Sequence, residues 1–148
     1  MGSLTLPPSG VVYVDAQILI YTVERHPSYG PALEPLWRAV FDGALAAVTS
    51  ELSLMETLVV PLRNRNTSLV SDYQQALLGS DLRLLPITQP VLLEAARLRA
   101  TLPGLRTPDA LHAATAITSD CVLFLTNDSG FRRVPTLNLV VLGEALAN

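Results

Sequence analysis

Lysine is absent from this sequence, and cysteine occurs only once, at Cys121. All ten basic residues are therefore arginine. A single cysteine excludes a disulfide within the chain and a cysteine-rich zinc site. Without lysine, the chain cannot form a Schiff base, and it lacks the lysine of a phosphate-binding P-loop and of receiver-type phosphorylation sites.

Long hydrophobic runs are also missing. Apolar stretches such as Val122–Leu125 and Leu139–Leu142 are far shorter than a membrane span, which needs roughly 18–20 residues. Residues 1–10 have no basic segment ahead of an apolar run, so we expect no signal peptide. We therefore expect no membrane partner and a cytoplasmic location, which suits a reduced cysteine.

Composition and charge limit the class of protein. The chain has 148 residues, of which 49% are hydrophobic and 16% are charged, and this favours one folded domain over disorder. We expect a flexible lead-in at residues 1–10 and a single domain at residues 11–148. The formal charge of −3 excludes a generally basic nucleic-acid-binding surface. So few charges favour a face that is buried in an oligomer or against a partner.

Short apolar runs alternate with helical patterns along the chain. Strands are predicted at Val11–Val14, Leu45–Val48, Leu82–Ile87, Val122–Leu125 and Leu139–Leu142. Helices are predicted at Gln17–Val23, Ala32–Phe41, Glu51–Val60, Ser68–Leu78 and Pro90–Leu102, and from an N-cap at Thr107 onwards. The segment 25–31 is predicted as a loop, and Pro61 is expected to end the third helix. The alternation predicts an α/β fold with a short, mainly parallel sheet that is covered on both faces.

Two acids follow predicted strands directly. Asp15 comes after the first strand, and Asp128 follows the fourth across two residues. Sites in open α/β sheets form beyond the carboxyl ends of the strands. Two further acids lie on predicted helices: Asp109 opens one, and Glu56 lies in a helix that is apolar nearly all round. A carboxylate on a buried face is costly unless it is paired, so Glu56 is expected to be the most anomalous acid.

Convergence of these four acids would require a cation. Two like charges about 4 Å apart repel by roughly 4 kcal/mol at an effective dielectric constant of about 20. A cluster of oxygen ligands selects a hard ion, Mg²⁺ or Mn²⁺. Such an ion polarises a phosphoryl oxygen and lowers the pKa of its bound water. The natural reaction class is then metal-assisted hydrolysis of a phosphodiester.

Each acid also has a simpler interpretation. Asp128 lies among turn residues, and Asp109 is an acid in a first helical turn, where the helix dipole favours it. Asp15 is a candidate N-cap of the helix that follows it. Glu56 stands three residues after Ser53, which is the spacing of a capping box. The four acids together, at these element ends, are harder to explain in this way.

Four segments of the chain resemble a known family. They read V-Y-V-D-A-Q-I-L-I-Y (12–21), T-S-E-L-S-L-M-E (49–56), T-P-D-A-L-H-A-A-T-A-I (107–117) and F-L-T-N-D-S-G-F (124–131). In order and spacing they are similar to the PIN-domain ribonucleases, particularly the VapC-type toxins of toxin–antitoxin pairs. The resemblance implies a three-layer α/β/α fold and an endoribonuclease that binds Mg²⁺ or Mn²⁺ through Asp15, Glu56, Asp109 and Asp128. It also implies RNA as the substrate, a protein antitoxin as a partner, and a homodimer.

The sequence departs from the family pattern after the first acid. Many family members have a small hydroxyl residue or asparagine two places on, where this chain has Gln17. Gln17 and Asn127 are candidates to orient the ion or its ligands from outside the coordination sphere, although Asn127 also suits a turn. The substitution puts metal affinity and rate in question.

Other side chains are candidates for supporting roles. Four arginines are candidate phosphate contacts: Arg63, Arg65, Arg132 and Arg133. They equally suit a solvated surface. His112, one turn after Asp109, is expected to be a packed or hydrogen-bonded helix residue. The apolar side chains of Leu52–Val60 suit either the core or a groove for a partner helix.

Two competing functions remain open. One is a catalytically weak or inactive PIN-like module that binds RNA or protein, and Gln17 is its main support. The other is a phosphatase or receiver-like domain. Phosphatases of the dehalogenase type need a second aspartate where this chain has Gln17, and receivers need a lysine.

Overall fold

The computed structural model describes residues 2–147. Within this range the chain forms five strands, β1 to β5, at Val11–Val14, Ala46–Ser50, Arg83–Leu85, Leu123–Thr126 and Leu139–Val141. In the same range seven α-helices, α1 to α7, span Ala16–Val23, Tyr29–Phe41, Leu52–Arg63, Thr67–Leu78, Gln89–Thr101, Thr107–Thr118 and Leu142–Ala147. A short 3₁₀ helix lies at Ser129–Arg133.

All strand pairs of the sheet are parallel, in the order β3-β2-β1-β4-β5. The β-branched run Val11–Val14 therefore forms the central strand, where both of its faces are covered. Val12 pairs with Ala47 on one side and with Leu123 on the other. The parallel sheet predicted from the alternating pattern is confirmed.

Side chains of β1 alternate between two cores. Val12 and Val14 pack with Ile18 and Leu36 in the core beneath α1, α2 and α4. Tyr13 points to the opposite face, where it packs against Phe124. This period of two follows from the pleat of a strand. Helices cover both faces, which gives the predicted three-layer α/β/α fold.

Two predicted helix boundaries were wrong near prolines. The helix α2 begins at Tyr29, inside the segment predicted as a loop, because the backbone amide of Tyr29 is capped by His26 Nδ1 at 3.1 Å. The helix α3 continues through Pro61 to Arg63. Pro61 is buried on the packing face of α3, and its carbonyl accepts from the amide of Asn66 at 2.9 Å. These contacts retain a last turn that the missing proline N–H would otherwise weaken.

Two capping and boundary predictions were also wrong. The N-cap of α6 is Arg106 and not Thr107, because the Thr107 hydroxyl accepts a hydrogen bond from Arg99 Nη1 at 2.9 Å. Leu142, predicted as the last residue of a strand, begins α7, a helix that the pattern did not indicate. The strand β2 extends to Ser50, because Ser50 pairs with Leu85 of β3.

Residues 2–10 contain neither helix nor strand, yet they contact the domain. Leu4 is buried in the core, and the amide of Gly2 donates to the carbonyl of Leu146. Flexibility of the lead-in and the division into residues 1–10 and 11–148 stay predictions, and Met1 and Asn148 lie outside the described residues. Among residues 2–147, no helix has the length and apolar character that crossing a membrane requires.

Candidate active site

A cavity of about 310 Å³ opens at the carboxyl ends of β1 and β4. Its wall contains all four acids that the sequence singled out: Asp15, Glu56, Asp109 and Asp128. Gln17, His112 and Asn127 also line it. The central strands and the helices α3 and α6 therefore bring four distant segments of the chain to one concave surface.

Asp15 is both a helix cap and a wall of this cavity. Its Oδ1 accepts from the amide of Ile18 at 3.2 Å, and its Oδ2 accepts from the Thr126 hydroxyl at 2.5 Å. The residue is only 6% exposed. Burial raises the pKa of Asp15 above the ordinary carboxyl value, and the Thr126 hydrogen bond opposes that rise. The capping interpretation of Asp15 is confirmed, and its position on the cavity wall is compatible with the predicted site role, which stays a prediction.

Asp128 caps the 3₁₀ helix that follows β4. Its Oδ1 accepts from the amide of Gly130 at 2.8 Å, and its own amide donates to the Thr126 hydroxyl at 3.0 Å. The expected turn role is therefore present. This turn also places the exposed Asp128 carboxylate on the wall of the same cavity as Asp15.

Glu56 is less buried than the sequence indicated. The packing face of α3 consists of Ser53, Thr57 and Pro61, while Met55 and Val59 are exposed. The Glu56 side chain is 28% exposed, so the expectation that it is the most anomalous acid was wrong. The apolar count around the helix misled, because Met55, Val59 and Val60 face solvent and only Leu54 and Leu58 pack in part against the core.

The capping box that the spacing of Ser53 and Glu56 suggested does not form. The helix α3 begins at Leu52, so Ser53 lies inside it, and the Ser53 hydroxyl bonds Thr49 at 2.7 Å. Glu56 Oε1 instead lies 2.6 Å from Nε2 of His112. A carboxylate of α3 is thereby tied to α6.

Asp109 occupies the first turn of α6 and faces the cavity. Its side chain is 23% exposed, and its Oδ2 lies 3.3 Å from Nε of Arg106, a side chain that is 74% exposed. An ion pair this exposed is weak. Asp109 is therefore free to exchange Arg106 for another positive partner.

His112 is a buried, hydrogen-bonded residue, as expected. It is 3% exposed, and its Nδ1 lies 2.5 Å from the hydroxyl of Tyr13. Sequence reasoning did not connect it to the site, although its place three residues after Asp109 put both on one helix face. Tyr13 and Thr126 were missed as well, because both lie inside apolar strand runs.

The family model for the PIN domain matches residues 12–137 of this chain. The chain belongs to the PIN-domain family. The matched range contains all four carboxylates of the cavity. Membership confirms the family resemblance that the four segments indicated.

Three solved structures illustrate the fold that this PIN domain shares. VapBC2 from Rickettsia felis, bound to a DNA fragment from its own promoter, has a TM-score of 0.67 and 21% identity, over 88% of this chain and 97% of that chain. A toxin–antitoxin complex from Klebsiella pneumoniae has a TM-score of 0.66 and 22% identity, over 87% and 95%. DNA-bound VapBC from Salmonella typhimurium has a TM-score of 0.65 and 19% identity, over 87% and 96%. At these identities the likeness shows a shared fold. A search of curated proteins found no match.

The two amide candidates of this PIN domain have different surroundings. Asn127 uses both ends of its side chain within the fold: Nδ2 donates to the Tyr21 hydroxyl at 2.9 Å, and Oδ1 accepts from the amide of Gly143 at 2.8 Å. These bonds join α1 and α7 and support the turn interpretation. Gln17 is exposed on the cavity wall.

The four arginine candidates are all at the surface of the PIN domain. Arg132 donates to both carboxylate oxygens of Glu144, with Nη1 at 2.7 Å from Oε2. Arg133 Nη1 donates to the carbonyl of Gly104 at 3.0 Å. Arg63 and Arg65 lie exposed at the end of α3, away from the cavity wall. Arg132 and Arg133 belong to the 3₁₀ helix that Asp128 caps, but neither lines the cavity.

The donor set of this PIN domain fits a hard divalent cation. Four carboxylates line one cavity, and oxygen ligands of this kind suit Mg²⁺ or Mn²⁺. Within residues 2–147, no three of the acid, histidine or cysteine side chains already lie close enough together to hold an ion. Asp15 is fixed by its hydrogen bonds, Glu56 is held by His112, and Asp109 is partly exposed and paired only with the exposed Arg106.

Proposed function

We propose that this PIN domain is a Mg²⁺- or Mn²⁺-dependent endoribonuclease, the VapC-type toxin of a toxin–antitoxin pair. The observation that carries the proposal is the meeting of Asp15, Glu56, Asp109 and Asp128 on one cavity. The similar structures, which are a toxin–antitoxin complex and two VapBC complexes, support the toxin assignment.

Four carboxylates would hold the cation. When bound, the ion would polarise a phosphoryl oxygen and supply hydroxide by lowering the pKa of its water. Asp15 contributes a fixed oxygen, because Thr126 and the amide of Ile18 hold its carboxylate in place. Glu56 is held at the cavity wall by His112, Asp109 can exchange the exposed Arg106 for the ion, and Asp128 is presented by its turn.

Charge explains why this chain would need the ion before it binds a polyanion. The chain carries 13 acids and 10 bases, a difference of −3. Without the four site acids, 9 acids remain against the 10 bases, which gives +1. One divalent ion in the cavity would offset two of the four negative charges and so reduce the repulsion that the carboxylates would exert on RNA phosphates. Arg132 and Arg133 are the proposed phosphate contacts nearest to Asp128.

Partners follow from the exposed apolar surface. Four apolar side chains of α3 are exposed: Met55 at 59%, Val59 at 43%, Val60 at 54% and Leu62 at 59%. Exposed apolar side chains grouped on one helix are typical of an interface. We propose that this face of α3 forms the homodimer, that a protein antitoxin is a further partner, and that the protein acts in the cytoplasm, where cellular RNA is found.

An RNA cleavage assay tests the proposed activity. The purified chain is incubated with single-stranded and hairpin RNA in Mn²⁺ or in EDTA, beside an Asp15→Asn variant purified in the same way. Cleavage by the wild type in Mn²⁺, abolished by EDTA and by the substitution, is the expected result. Equal inertness of wild type and variant, with retained RNA binding, would favour the non-catalytic binding module that the exposed Gln17 suggests.

A further inference from the structure

Three hydrogen bonds link Glu56, through His112 and Tyr13, to the backbone of Ser50 at the end of β2. The amide of Ser50 lies 3.1 Å from the hydroxyl oxygen of Tyr13. That hydroxyl lies 2.5 Å from Nδ1 of His112, and Nε2 of His112 lies 2.6 Å from Oε1 of Glu56. Ser50, Tyr13 and His112 are all buried, whereas the Glu56 side chain is 28% exposed.

Each hydrogen bond in this series is donated in the same direction, from Ser50 toward Glu56. A backbone amide can only donate, so the Tyr13 oxygen accepts from Ser50. Burial raises the pKa of Tyr13 above its ordinary value, so the hydroxyl keeps its own proton. With the nearby Thr49 hydroxyl bonded to Ser53 at 2.7 Å, the Tyr13 proton is directed to His112 Nδ1. Nε2 then carries the imidazole proton and donates it to Glu56.

The Tyr13 end of this hydrogen-bond series is held rigidly. Tyr13 is fully buried in β1, and its ring stacks on Phe124 with centroids 4.9 Å apart. The His112 ring meets it edge to face at 5.8 Å. Glu56, by contrast, projects from a helix whose neighbouring side chains Met55 and Val59 face solvent. His112 is therefore the contact that fixes a carboxylate which packing alone leaves free.

We propose that His112 is a positioning residue for this site, its Nε2–H tautomer set by Tyr13 and Ser50 and its donated hydrogen bond aiming Glu56 into the cavity. The inference rests on the metal-dependent nuclease proposed above. His112 holds one oxygen of Glu56 and leaves the other, Oε2, to face a cation. In this proposal His112 does not contact the ion itself and acts on it only through Glu56.

Two substitutions separate this role from simple packing. In His112→Gln, the amide nitrogen lies near the place of Nε2 and can still donate to Glu56. In His112→Asn, the amide lies near the place of Nδ1, so it can meet Tyr13 but does not reach Glu56. Both side chains are smaller than histidine and polar, so a packing role would be damaged by both.

The first measurement is Mn²⁺ affinity by isothermal titration calorimetry, with folding of every variant checked by thermal unfolding. We expect His112→Asn to weaken Mn²⁺ binding by about 10–100-fold, the usual effect of losing a group that orients a metal ligand. His112→Gln should bind Mn²⁺ nearly as well as the wild type. Equal loss in both variants, or wild-type affinity in His112→Asn, would overturn the inference.

The second measurement is the tautomer of His112, read from its ring nitrogens by ¹⁵N NMR of the wild-type protein and assigned by loss of the signals in His112→Gln. Protonation at Nε2 with a bare Nδ1 is expected, and protonation at Nδ1 alone would overturn the inference. A wild type that binds no Mn²⁺ overturns the nuclease proposal and this inference together. Failure of the inference alone leaves wild-type binding and its loss in Asp15→Asn intact.

Discussion

The hydroxyl of Thr126, at the end of β4, donates to Oδ2 of Asp15, at the end of β1, across 2.5 Å. The same hydroxyl accepts from the amide of Asp128 at 3.0 Å. Thr126 therefore joins the two acids that follow the central strands. One fully buried hydroxyl both stabilises the Asp15 carboxylate and sets the turn that presents Asp128.

Replacing Thr126 with valine should destabilise the protein while keeping the side-chain shape. The substitution leaves the buried Asp15 Oδ2 without its donor, and an unsatisfied buried group costs about 1–3 kcal/mol. Urea unfolding at neutral pH measures this loss. Thr126→Ser keeps the hydroxyl and serves as the control. Equal stability of the valine variant and the wild type would show that the hydrogen bond contributes little.

Asp15→Asn should stabilise the metal-free protein at neutral pH. Because burial raises the pKa of Asp15, the folded chain binds this proton more tightly than the unfolded chain does. The stability linked to Asp15 is thus present near the ordinary carboxyl pKa of about 4 and is lost as the pH rises through the folded value. Urea unfolding in EDTA should show the variant to be more stable than the wild type at pH 7.5, with a difference that shrinks toward pH 4.

An exposed acid provides the control for these unfolding measurements. Asp72 lies on the solvent side of α4, so Asp72→Asn should show no comparable pH-dependent gain. A wild type more stable than Asp15→Asn at pH 7.5 would contradict the assigned burial cost. Gain of stability with loss of activity is the pattern expected of a residue retained for function.

The ion pair of Arg132 and Glu144 should compete with RNA. Both side chains are about half exposed, and Arg132 holds the pKa of Glu144 below its usual range. Arg132→Gln should weaken RNA binding and reduce the salt slope by about 1, the effect of losing one phosphate contact. Glu144→Gln should free the guanidinium and tighten binding. Fluorescence anisotropy across a salt series, in an Asp15→Asn background to prevent cleavage, measures both.

A second exposed pair gives the matched control. Arg97 and Glu94 form an ion pair on α5 with Nη2 at 2.5 Å from Oε1. Their glutamine variants should leave RNA affinity unchanged. If the Arg97 and Arg132 variants lose RNA affinity equally, surface arginines attract RNA non-specifically, and the assignment of Arg132 as a phosphate contact fails.

Introducing a charge on α3 should dissociate the proposed dimer. Val59 is 43% exposed within the apolar group of α3, and Val59→Asp places a carboxylate at the centre of that surface. Light scattering coupled to size-exclusion chromatography should show a dimer for the wild type and a monomer for the variant. Leu93, 72% exposed on α5, gives the control Leu93→Asp, which should remain dimeric. A monomeric wild type would refute the interface.

Much of this architecture follows from local patterns. The β-branched run Val11–Val14 predicts a fully buried strand, and an acid directly after it belongs at the carboxyl edge of a parallel sheet. The positions of Asp15 and Asp128 were accessible in this way. Glu56 and Asp109 were placed on helices by the residue pattern, and the resemblance of four ordered segments to one family assigned them to the same site as Asp15 and Asp128.

What the sequence left undetermined depends on packing between distant elements. Apolar residues of α3 were expected to bury Glu56, yet the packing face consists of Ser53 and Thr57, and Asp15 is the buried acid. Periodicity cannot distinguish an apolar face that meets the core from one that meets solvent. The link from Tyr13 through His112 to Glu56 spans three elements and has no local signal at all.

The most direct test of the central claim is a crystal structure of the protein soaked in Mn²⁺, with the ion located by its anomalous scattering. The account predicts an anomalous peak inside the cavity, coordinated by carboxylate oxygens of Asp15 and at least one of Glu56, Asp109 and Asp128. A fully ordered cavity without a peak at Mn²⁺ concentrations that occupy other sites, or a peak only elsewhere on the surface, would contradict it.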